Sequence, residues 1–154
     1  MTINEKKELH LHNLISIRKK MNQTELITEV ENIKKIIADS GELAEDIITA
    51  TFSAVQNEKG EAIMDVEILC PVGKEIFVNQ PYVYKKELYI TNALMAEFTG
   101  EASGIASVYN ELNKHIMDHK LQPVTATYTV NKKSNNENNI ANIAVYVGIN
   151  PNIM

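Results

Sequence analysis

The 154-residue sequence predicts an α+β protein, in which duplicated β-α-β-β units form one twisted antiparallel sheet with two main helices across it and a pseudo-twofold between the halves. Three observations lead there. Strand-like and helix-like apolar periods alternate in the same order twice along the chain. Matching positions recur at a nearly constant shift of 76 to 79 residues. Neither unit can bury an apolar face of this size alone, so a shared sheet is the economical solution.

The elements follow in order. Residues 8–17, ELHLHNLISI, read as a strand. In NQTELITEVENIKKIIADSG, Leu26, Ile27, Val30, Ile33, Ile36 and Ile37 recur at helical spacing. Asn22 is placed to cap this helix with Glu25 three residues on, and Gly41 supplies its stop. IITATFSAV is a β-branched strand, QNEKGE a turn, and AIMDVEILCPV a strand closed by proline. Residues 73–86 form a connector in which IFVNQPYVY is a candidate edge strand, Pro81 disfavouring a central place. KELYITNALMAEF opens the second unit as a strand. GEASGIASVYNELNKHIMDHK is helical, with Ile105, Val108, Tyr109, Leu112 and Ile116 on one stripe and Pro123 as terminator. PVTATYTVN and IANIAVYVGI are strands joined by KKSNNENN.

The shift can be followed element by element. Glu8, Leu9 and Asn13 match Glu87, Leu88 and Asn92 at 79, and the helix stripe repeats at the same value. TATFS (49–53) falls on TATYT (125–129) at 76, and the last strand of each unit matches at 77. A single domain over 1–154 follows, with repeat one at about 8–72, the connector at 73–86 and repeat two at about 87–150.

Bulk properties remove several function classes. A net charge of −5 and short, scattered basic clusters argue against a nucleic-acid partner. No apolar run reaches spanning length, so no membrane role is expected. The amino-terminal MTINEKKELHLH has no apolar segment of a secretory signal, and the lone Cys70 fits a buried, inert thiol in a reducing cytoplasm. Phosphate loops, nucleophile elbows and Cys–His spacings are missing, which argues for a non-enzyme without cofactors.

The two β-α-β-β modules, with VEILCPV closing the first and FTGEASGIASVYNELNKHI, ATYTVN and IAVYVGI in the second, resemble the GyrI-like (SOUL-like) effector-binding domains of bacterial transcription activators. The resemblance covers nearly the whole chain and rests on the aromatic-Thr-Gly segment, Tyr-x-x-Leu in the second helix, and the glutamate five residues before the Pro-Val valine. It implies a groove between the repeats for hydrophobic, often cationic ligands, with an acidic residue on a central strand among aromatics. Glu67 stands at the acidic position; Ala144 replaces it in the second repeat, Leu69 occupies a place expected to be small, and tryptophan is absent. A carboxylate in an apolar groove favours a cationic ligand, and aromatic faces add cation–π attraction. No helix-turn-helix segment is left over, so the chain is not itself expected to be a transcription factor.

The chain also resembles GyrI-like proteins of Bacillota found near type VII secretion genes. None of its six tyrosines is followed four residues later by Asp or Glu, so the export signal of those systems is missing. That association would make it a cytoplasmic accessory.

The leading expectation is a cytoplasmic small-molecule-binding or sensing protein using Glu67, with Tyr89, Tyr109, Tyr128 and Tyr146 as groove aromatics and an aromatic cation as candidate ligand. The alternative is a protein-interaction accessory that has lost the ligand. Some GyrI-like proteins are hydrolases with a pocket glutamate, so Glu67 with Tyr109 or Tyr146 forms a third reading. Asp65 shares the face of Glu67, where a solvated sheet face is the simpler reading. The alternating hydroxyls of both TAT segments are read the same way. His115 and His119, and His10 and His12, have metal-compatible spacings but no visible third ligand, so surface histidines are expected and no metal is assigned.

Overall fold

The computed structural model describes residues 2–42, 46–132 and 140–150. Among these are six strands and two α-helices: β1 (Ile3–Met21), α1 (Gln23–Asp39), β2 (Ile47–Gln56), β3 (Ala62–Pro71), β4 (Val83–Glu101), α2 (Ile105–Asp118), β5 (Gln122–Asn131) and β6 (Ile140–Asn150). The α+β class follows, with sheet predominating. All of the expected loop 132–139 except Lys132 lies outside the described residues. No helix of the described residues is long and apolar enough to cross a membrane. The chain divides into two compact units, one of Leu11–Leu88 and one of Met1–His10 with Tyr89–Met154.

In the first unit, β3 pairs antiparallel with both β1 and β2. Alternation sends Ile15, Ile17, Val66, Ile68 and Cys70 to one face, where Ile33 and Ile37 of α1 close the core. Cys70 is fully buried there. The helix begins where the sequence predicts: Asn22 accepts from Glu25 N at 2.8 Å, and Glu25 Oε1 accepts from Asn22 N at 3.2 Å. This reciprocal box satisfies two otherwise orphan amides. Gly41, at φ 86°, ends the helix in the left-handed conformation, with Glu42 N donating to Ile37 O at 3.1 Å.

The second unit pairs β6 antiparallel with β4 and β5. Leu94, Ala96, Val145 and Val147 pack under Val108, Leu112 and Ile116 of α2. A 3-10 turn at Ala102–Gly104 precedes α2, which therefore starts at Ile105, inside the longer helical stretch that periodicity suggests. Gly104 is its cap residue and offers no side-chain bond.

The two units share an internal register. Ile17 opposes Ile68 in the first and Ala96 opposes Val145 in the second, so β1 maps on β4 at 79 residues and β3 on β6 at 77. Buried Glu29, Ile33 and Ile37 of α1 map at 79 on Val108, Leu112 and Ile116 of α2. The TATFS–TATYT match fails this test. Thr49 opposes Ile68 while Thr129 opposes Val145, which aligns β2 with β5 at 80 residues rather than 76. The two pentapeptides occupy different ladder positions, and their likeness reflects the shared β-branched composition of strands.

Two further expectations are corrected. The candidate edge strand IFVNQPYVY is turns and irregular backbone until Val83, with a cis peptide at Gln80–Pro81. β1 and β4 each run 19 residues, well beyond the expected segments. The first part of β1, Asn4-Glu5-Lys6-Lys7-Glu8, is charged, and positive φ at Lys6 and Asn13 breaks the two-residue period on which recognition depends.

Candidate functional site

Glu67 sits mid-strand in β3, opposite Arg18 of β1 and Ala50 of β2. Its neighbours Val66 and Ile68 point to the α1 core, which turns Glu67 onto the other face. That face is not solvated as a one-sided sheet would be: Leu14, Ser16, Ile48, Ala50 and Leu69 are buried, and Glu67 is only 6% exposed. The carboxylate is held within its own unit. Ser16 Oγ donates to Glu67 Oε2 at 2.6 Å, and Lys85 Nζ, reaching in from the start of β4, forms an ion pair with the same oxygen. Such charge-assisted bonds are what a buried carboxylate requires. The Lys85 side chain is 41% exposed against 8% for that of Glu67, so the cation enters from the open side.

Asp65 lies two residues away in the same strand and forms a second pair. Arg18 Nε and NH2 donate to its two oxygens at 3.1 Å each, and the Arg18 guanidinium lies 3.7 Å from the centroid of the Phe52 ring. Phe52 falls at the register break between Thr51 and Ser53, where a bulge removes it from the ladder. The Arg18 hydrogen bonds hold the Asp65 carboxyl below the usual carboxylate range.

The four tyrosines do not form one set. All belong to the second unit, whereas Glu67 belongs to the first. Tyr128 and Tyr146 are cross-strand partners, and Met95 flanks Tyr146 on β4. Burial pushes the Tyr146 phenol up, opposed by Lys132 and assisted by Glu97. Tyr109 projects from α2 on the opposite face of this sheet, its hydroxyl 2.5 Å from Thr129 Oγ1. Tyr89 is 47% exposed; it stacks on His10 with centroids 3.9 Å apart and donates to Glu8 Oε2 at 3.1 Å.

The structure adds residues that the sequence reading missed. Ser16 and Lys85 complete the Glu67 site from 51 and 18 residues away, a pairing visible only once β1 and β4 are placed. The connector forms an open cleft of about 540 Å³ lined by Ile76, Phe77, Tyr82, Val83 and Tyr84 among others. Phe77 is 89% exposed there. Tyr82 donates to Glu29 Oε1 at 3.3 Å, and burial, with Glu29 nearby, pushes its phenol up.

With this geometry in hand, the chain can be set beside known proteins. No family model and no curated protein matches it. Solved structures do share its fold. EcmrR, in its complex with DNA, superposes with a TM-score of 0.74 at 13% identity, over 96% of this chain and 56% of that one. This chain thus spans little more than half of EcmrR. A conserved uncharacterised protein from Listeria innocua gives 0.63 at 10% identity, over 95% of this chain and 93% of that one. A hydrolase from the same organism gives 0.61 at 8%, with the same coverage. The neighbours are consistent with a GyrI-like fold. Identities this low establish fold and leave the chemistry to the residues present.

Proposed function

We propose that this chain is a non-enzymatic, cytoplasmic small-molecule-binding protein in which Glu67 receives the cationic group of a hydrophobic ligand. The observation that carries the reading is a buried carboxylate neutralised by a lysine that remains 41% exposed. An internal cation of this kind holds the acid in place when no ligand is present and can swing out when one arrives. Lysine suits that role because its ammonium is a point charge on a flexible stem, without the fixed fork of arginine. Ser16 stays as the fixed donor. The likeness in fold to EcmrR supports the reading. We also infer from the common register that both units descend from one β-α-β-β module, with the acidic site kept in the first.

The reading is tested by calorimetric titration with a quaternary aromatic ammonium such as benzyltrimethylammonium. Stoichiometric binding that disappears in Glu67→Gln supports it; equal binding by wild type and Glu67→Gln refutes it.

A specific observation favours a second reading. Phe77, 89% exposed beside Val83 at 49%, is an apolar feature suited to a protein-interaction accessory, whether or not of a type VII secretion locus. On that reading no cation binds, and Phe77→Ser abolishes co-purification with a partner chain while Glu67→Gln leaves it intact.

A further inference from the structure

We propose that Glu5, His115 and His119 form a binding site for a divalent transition-metal ion, zinc being the type case. The two histidines lie one helical turn apart at the end of α2, with rings stacked at 4.1 Å between centroids and 21° between planes. Sequence spacing alone offers no third ligand. The fold supplies it from β1, 110 residues away, where Glu5 Oε1 lies 3.0 Å from His115 Nε2. Each of the three residues offers one ligand atom within 4.8 Å of the others. A tetrahedral zinc ion with bonds of about 2.0–2.1 Å holds its ligand atoms roughly 3.3–3.4 Å apart. Small side-chain rotations therefore bring these atoms to coordination distance.

Two further features suit a metal. His119 Nδ1 lies 2.9 Å from the His115 carbonyl oxygen. With Nδ1–H as donor, the ring is oriented and its Nε2 lone pair is left for a ligand bond, the arrangement that metal-binding histidines ordinarily use. His119 also caps the carboxyl end of α2, where the helix dipole attracts positive charge. Two imidazoles and one carboxylate leave a fourth position, and the 18% exposure of His115 and 49% of Glu5 keep it open to water or an external donor. The imidazole–carboxylate set selects zinc, nickel or copper over magnesium or calcium. All three residues belong to the second unit, apart from Glu67, so this site stands or falls independently of ligand binding there.

The test uses the untagged full chain, stripped with a chelator and titrated with cobalt(II) and zinc. One ion per chain is expected, with the visible absorption bands of tetrahedral cobalt and their displacement by zinc. His115→Ala and His119→Ala should each weaken binding at least about tenfold, since even supporting residues of metal sites cost that much. Glu5→Gln should weaken it as well, and His10→Ala should leave it unchanged. His119 is exposed, so its variant keeps the fold, which circular dichroism verifies. Absence of binding, or binding that survives His119→Ala or disappears in His10→Ala, overturns the assignment.

Discussion

The two units repeat a backbone register but differ in what they place at equivalent positions. Where the first has Ser16, Arg18, Glu67 and Leu69, the second has Met95, Glu97, Ala144 and Tyr146. Across the other ladder, Ile48 and Ala50 stand against Tyr128 and Val130. One unit buries a carboxylate on this face; the other has Ala144 at that place and keeps an exposed pair of Glu97 with Lys132. The helix faces diverge too. Glu29 is buried on α1, satisfied by Asn32, Tyr82 and Lys19, at the place where α2 carries Val108. A fold can thus hold its register through the core stripe while individual positions exchange charge for hydrocarbon, provided each buried charge acquires partners locally.

The largest expected effect comes from forcing the units to match. Ala144→Glu inserts a carboxylate at a 2% exposed site whose ladder partners are Glu97 and Val130. It meets a like charge and an apolar chain instead of serine and lysine, and should cost about 4 kcal/mol or more in urea denaturation. A mild effect would mean that the local partners of Glu67 are not what makes it tolerable.

Next comes removal of one partner. Lys85→Ala leaves Glu67 with Ser16 alone, and a cost of about 2–3 kcal/mol is expected, below the full penalty for breaking a buried pair because the lysine is partly in water. The double change Glu67→Gln with Lys85→Ala should recover much of that loss, and additive losses would argue against direct coupling.

The helix starts differ by a smaller amount. Asn22→Ala should cost about 1 kcal/mol through the lost capping box of α1. Gly104→Ser, which would offer α2 a side-chain cap, should not stabilise it, because a Cβ there meets Phe98 Cζ at 2.7 Å. Thermal melts of both variants check this asymmetry.

The smallest effect is expected at Asp65. Its carboxyl is held below the usual range by Arg18, so its contribution is present above the ordinary carboxylate pKa and fades as pH falls through the lowered folded value. Asp65→Asn should therefore leave neutral stability nearly unchanged and slightly flatten the acid limb of a pH–stability profile.

How much of this was legible in the sequence depends on which interactions are local. The capping box at Asn22 and Glu25, the Gly41 stop and the alternating core of β3 are written within a few residues of each other, and they appear as expected. β1 extends past the segment its sequence suggests because its charged first half and the positive φ at Asn13 leave no period to detect. The TATFS–TATYT match misled because strand composition repeats without register, which only cross-strand partners define. Glu67 could be singled out, but not the lysine and serine that hold it, nor the glutamate that joins His115 and His119. Those pairings span 18 to 110 residues and exist only in the folded chain.

Whether Glu67 holds an exchangeable cation is decided by calorimetry with benzyltrimethylammonium on wild type, Glu67→Gln and Lys85→Met. Stoichiometric binding by wild type, none by Glu67→Gln, and tighter binding by Lys85→Met, in which the internal competitor is gone, are expected. Lys85→Met binding no better than wild type, or Glu67→Gln binding as well as wild type, rules an exchangeable cation out.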